Sequence, residues 1–174
     1  MATRGSGSLA AWRRRAVREA RASRRETLAF IARLPREEML TPRTQDRWSV
    51  KDVLGHFMAC DEETVRRLRH IAAGHPERIK WFESMAYADR FNARTVARAR
   101  RLSLPVVLRR MARARADLVK RLARLPPGAF RDPSHAYPMT AWLPAPGWSH
   151  EREHLAEIQA WWRSQRSGRR PARR

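Results

Sequence analysis

The chain has 174 residues, enough for one domain with tails, and at 43% hydrophobic content with seven tryptophans it is too apolar to be disordered throughout. Its 38 basic against 17 acidic residues give a formal charge of +21. The single cysteine, Cys60, excludes an intramolecular disulfide, and no stretch approaches the roughly 20 apolar residues of a membrane span.

Only Lys51, Lys80 and Lys120 are lysines, so the basicity is almost wholly arginine, spread through every segment. Such spreading suits solvated helix faces better than a nucleic-acid stripe. It predicts nucleic-acid binding that is weak, non-specific and lost as salt rises. A lone cysteine fits a reducing compartment, and Met1–Ser8 lacks the apolar run of a signal peptide, so a cytoplasmic location is expected. Few glycines with abundant Ala, Leu and Arg favour an all-α protein.

In chain order, residues 1–8 read as a disordered lead and residues 9–166 as one helical bundle. Trp12, Ala16, Ala20, Thr27, Ile31 and Leu34 follow helical spacing in a first helix that Pro35 closes. A loop from Thr41-Pro42 ends at Trp48-Ser49. There Ser49 and Asp52 form a capping-box pattern, with Asp in place of the usual Glu. The second helix runs to about Ala73, where Gly74 and Pro76 stop it, and its inward stripe is Val53, His56, Phe57, Cys60, Thr64 and Leu68. His56 on that stripe reads either as a core histidine or as a ligand. Cys60 reads as a small core residue or a soft fourth ligand.

Residues 75–85 form a connector carrying Trp81 and Phe82. A third helical stretch from Tyr87 to Arg101 shows Phe91, Thr95, Ala99 and Leu102 at helical spacing. Ser103 then caps a helix with Pro105 in its first turn and a stripe of Val107, Met111, Ala114, Leu118, Leu122 and Leu125. A long Pro-rich loop, 126–147, leads to the final helix, and Ser167 to Arg174 reads as a basic tail.

The final helix carries the chemistry. Ser149 is a suitable N-cap, and His150 and His154 stand four residues apart, on one face, within reach of a single ion. Read literally, His150-Glu151-Arg152-Glu153-His154 matches the H-E-x-x-H pattern of zinc peptidases, with Glu151 as general base. The following residues argue against it: a metzincin needs Gly at 157 and His at 160, and this chain has Glu157 and Ala160. Glu151, Glu153 and Glu157 are candidates for proton transfer or for supporting the histidines, with Glu153 and Glu157 as the candidate catalytic carboxylates, and Glu157 alone shares the histidines' face.

Together, Trp48-Ser-Val-Lys-Asp-Val-Leu-Gly-His56, Asp89-Arg-Phe-Asn92-Ala with Arg101-Leu-Ser103, and His150-x-x-Glu153-His154 resemble the DinB-like superfamily over most of residues 9–165. The resemblance implies a four-helix bundle, here with an additional short helix and a long loop before the last helix. It also implies a divalent metal, zinc or nickel, held by His56, His150 and His154. Relatives include thiol-dependent transferases and isomerases, such as mycothiol-dependent maleylpyruvate isomerases. The resemblance therefore implies a small-molecule substrate and a low-molecular-weight thiol. The strong positive charge is not a family requirement, and the extra C-terminal domain of some isomerases is not seen here. Three functions follow as expectations: a metal-dependent transferase or hydrolase, a non-catalytic metal- or ligand-binding stress-response bundle, or a basic nucleic-acid-binding protein. The sequence leaves a homodimer open.

Overall fold

The computed structural model describes residues 4–42 and 48–168, with side chains described for 9–42 and 48–166. Every regular element among them is helical: α1 (Arg4–Ile31), α2 (Arg36–Leu40), α3 (Val50–Ala72), α4 (Met85–Arg100), α5 (Leu104–Arg124), α6 (Met139–Trp142) and α7 (His150–Gly168). The protein is an all-α helical bundle. Helix α3 packs against both α5 and α4, while α1 lies against α5 and α7.

The stripes predicted for α1 and α5 are largely buried, whereas that of α4 is half-buried at Phe91, Thr95 and Leu102, with Val96 buried in their place. On α5, Val107, Met111, Leu118 and Leu122 have no exposed surface, and on α1 Ala16, Ala20, Thr27 and Ile31 are buried. Burying such stripes against one another supplies most of the stability of helices this long. The capping box forms as predicted: the Ser49 side chain accepts from the Asp52 amide, and the Asp52 carboxylate accepts from the Ser49 amide. Asp52 also pairs with Arg100 at 3.0 Å, which ties the end of α4 to the start of α3. Gly55 is required by this packing. A Cβ there would lie 2.3 Å from that of Ala99, so any side chain would push α4 away one residue before His56.

Boundaries differ where local signals gave no warning. Helix α1 begins at Arg4, inside the stretch expected to be a disordered lead. The half-buried Leu9 and Trp12, packed against the core, support its first turns. Residues 1–3, most of the loop expected between Pro42 and Trp48, and residues 169–174 of the expected basic tail lie outside the described residues. Pro35 does not end α1 directly; it is the N-cap of α2. Ser103 stands at the N-cap of α5 without a side-chain cap bond. The long loop carries a 3-10 turn at Pro127–Arg131, the short helix α6 and a π turn at Ala145–Ser149. The turn kinks at Gly147, whose backbone is non-helical, and the Ser149 amide then bonds the Pro144 carbonyl at 3.1 Å just before α7.

The apolar core is two clusters. One contains Ala20, Val65, Leu118 and Trp148; the other contains Ile31, Met58, Met111 and Leu155. Between them lies a buried ionic layer to which four helices contribute one charge each: Arg24 from α1, Asp61 from α3, Arg115 from α5 and Glu151 from α7. Arg24 reaches Asp61 at 3.0 Å and Glu151 at 2.8 Å; Arg115 reaches the same two carboxylates at 2.9 and 2.7 Å. Ser23 joins by donating to Glu151 at 3.2 Å. Two positive and two negative charges cancel, and each donor finds an acceptor, the condition under which buried ions are tolerated. The layer also fixes α7 against α3 at one level, which determines what the neighbouring residues meet.

Candidate metal centre

His150 follows directly from that level, and His56 lies little more than one turn before Asp61. Locking Glu151 and Asp61 into one layer therefore brings the two histidines face to face. His56 Nε2 lies 2.8 Å from His150 Nε2. The His154 ring, one turn further along α7, is centred 5.5 Å from that of His56 and 4.4 Å from that of His150. One nitrogen from each of the three lies within 4.8 Å of the others. An ion with bonds of about 2.0–2.1 Å to all three nitrogens would require that span to close and the 2.8 Å pair to open.

The electrostatics suit ligands more than charged side chains. His56 is 3% exposed. Burial, reinforced by His150 and His154, holds its pKa down at about 3. His150 is also lowered, by burial first and then by His154, with Glu153 working in the opposite direction. Uncharged imidazoles aimed at one point are the donor set of zinc and nickel sites.

Both α7 histidines are backed by carboxylates. His154 Nδ1 lies 2.8 Å from Glu157, and His150 Nδ1 lies 3.8 Å from Glu153. A proton on Nδ1 shared with a carboxylate leaves the Nε2 lone pair facing the centre, the usual support for a metal-bound histidine. Glu157 and Glu153 therefore lie beside the histidines, 69% and 72% exposed.

Glu151 is a correction. Weighed as a peptidase base and as a supporting carboxylate, it is 1% exposed and fully engaged by Arg24, Arg115 and Ser23, about 100° around α7 from His150. Burial favours its neutral form, but Arg115 and Arg24 outweigh burial and lower its pKa. The geometry removes the general base on which the peptidase reading depends. Cys60, one turn after His56, places Sγ 3.6 Å from His56 Nε2. Burial, then the Asp61 charge, pushes its thiol up to about 12, so in this structure it is a protonated wall residue.

His56 and His150 open onto a cavity of about 690 Å³. Trp81, Phe91 and Trp142 give it apolar walls, and the long loop contributes His135 and Tyr137 to its far side. Sequence reasoning marked that loop but missed Arg67, which is buried on the same wall. Its signal was available in the α3 register, since 56, 60 and 67 share one face.

Against known protein families, the sequence matches the model of the DinB superfamily over residues 19–158, a span that includes all three histidines. No curated protein and no solved structure shows a significant match to this chain. No helix of the described residues is long and apolar enough to cross a membrane.

Proposed function

The chain belongs to the DinB superfamily, and on that premise we propose that it is a metal-dependent enzyme, a thiol-dependent transferase or a hydrolase acting on a small molecule. The observation that carries this reading is the meeting of His56 and His150 at 2.8 Å in the wall of a cavity of about 690 Å³, with His154 close behind them. His56, His150 and His154 would hold the ion. A bound zinc or nickel ion would supply Lewis acidity to a substrate group, to water or to a low-molecular-weight thiol.

The chain's own residues do the rest. Glu157 fixes the tautomer of His154, and Glu153 does the same more loosely for His150. Both carboxylates reach solvent, so they are placed to relay protons between site and bulk. The apolar walls hold the body of the substrate and limit water at the centre. We place the reaction in the cytoplasm, which the lone thiol of Cys60 supports.

The test is turnover. Protein loaded with zinc or nickel is incubated with a small thiol and an aryl halide, and separately with a p-nitrophenyl ester. We expect metal-dependent consumption of one of these that metal removal and His56→Ala both abolish. A fully loaded protein inert to every electrophile and ester offered would reduce the site to non-catalytic metal binding.

A further inference from the structure

We propose that Arg67 and Trp81 anchor a carboxylate of the substrate at the end of the cavity opposite the histidines. This rests on reading that cavity as the substrate site. Arg67 is 5% exposed, and its Nη2 has no hydrogen-bond partner among the described residues. Trp81 Nε1 is a second buried donor without an acceptor among the described residues. Both residues line the cavity that also holds His56 and His150. Buried donors are almost always satisfied, so two neighbouring orphans on one cavity wall indicate an acceptor supplied from outside.

The charge balance gives the acceptor its sign. Arg67 Nε bonds Glu63 at 2.9 Å, but the same carboxylate also takes two bonds from Arg66, at 2.7 and 2.8 Å. Two guanidiniums thus share one carboxylate, and one positive charge is left uncompensated. A ligand carboxylate meets the surplus charge and offers two oxygens for two donors. The guanidinium stacks over Trp81 at 4.8 Å and over Phe82 at 4.6 Å, which holds its plane in place. Phe82 is 39% exposed and lies outside any helix, and the anchor requires its ring to swing off the guanidinium.

Spacing gives the ligand its length. Eleven residues of α3 separate His56 from Arg67, about 16 Å of helix rise. The Arg67 side chain leans back toward Glu63, which shortens the gap. A molecule with a carboxylate at one end, an apolar or aromatic body of several carbons and a reactive group at the other end spans the remainder. The intervening wall, with Phe91, Trp142 and Pro146, is apolar, as such a body requires.

The experiment uses the full chain, metal-loaded and metal-free, titrated calorimetrically with 4-phenylbutyrate and its neutral analogue 4-phenylbutanamide. In both forms we expect the acid to bind at least about tenfold more tightly than the amide, as a charge-assisted contact would give. Arg67→Gln should weaken the acid by at least about tenfold and leave the amide within about twofold, while Arg67→Lys recovers part of the loss. Trp81→Phe removes the second donor without a buried charge change and should weaken the acid several-fold. Four results would overturn the anchor: no binding of the acid, equal affinity of acid and amide, a preference that survives Arg67→Gln, or a preference confined to the metal-loaded form. The last would place the carboxylate on the ion. Metal content is measured separately, so loss of the metal reading and loss of the anchor are distinguishable.

Discussion

Glu151→Gln separates the two roles open to the glutamate between the histidines. In the structure its carboxylate balances Arg24 at 2.8 Å and Arg115 at 2.7 Å, with side-chain exposures of 6%, 6% and 1% for the three residues. Gln keeps the shape but removes the charge, leaving two guanidiniums facing Asp61 alone. Removing one partner of a buried ion pair costs about 3–5 kcal/mol. In a domain of this size each kcal/mol lowers Tm by about 2–4 °C, so the expected fall is about 6–20 °C. The assay is a far-UV circular dichroism melt, paired with metal analysis at a temperature where the variant is folded. Metal content should stay at the wild-type level. A variant melting within about 2 °C of wild type would refute the stabilising role of the layer. A variant of unchanged stability that lost its metal would return Glu151 to the site.

Other perturbations probe the site itself. Glu157→Gln should weaken metal binding by about 10- to 100-fold without lowering the Tm of the metal-free protein, whereas Glu153→Gln, at 3.8 Å, should have a smaller effect in a competitive chelator titration. The folded pKa of His56, about 3, lies below its ordinary 6.5, so protons favour the unfolded chain. The metal-free protein should therefore be fully stable above about pH 6.5 and lose about 1.4 kcal/mol per pH unit as pH falls from there toward 3. A Tm that is flat from about pH 7.5 to about pH 5 would contradict burial of a neutral histidine. With its thiol pushed up to about 12, Cys60 in the native metal-free protein should react with iodoacetamide at about pH 8 at least a hundredfold more slowly than in the unfolded chain.

Much of this was legible in the sequence because helical periodicity is a local signal. The α5 stripe from Val107 to Leu125, the Ser49–Asp52 capping box and the i, i+4 spacing of His150 and His154 are each contained within one helix. Their partnership with His56, ninety-four residues upstream of His150, was not a local property and came only through resemblance. The ionic layer was missed for a related reason. Arg24, Asp61 and Arg115 occupy stripe positions between apolar neighbours, yet in a chain with 38 basic residues a charge on a stripe does not stand out. Glu151 shows the cost: its motif suggested a catalytic base, while its angular position, about 100° from His150, directs it to the core. The π turn before α7 left no readable trace either, because Ser149 has the residue type of a cap whether or not it acts as one.

The central claim is that one ion is shared by His56, His150 and His154. The most direct measurement is metal content of the purified protein together with X-ray absorption of the loaded form. The account predicts one zinc or nickel per chain with three imidazole nitrogens at about 2.0–2.1 Å, and loss of the ion in each of His56→Ala, His150→Ala and His154→Ala. His70→Ala, His75→Ala and His135→Ala should keep it. A protein that takes up no stoichiometric metal, or that keeps its ion after His56→Ala, would contradict the account.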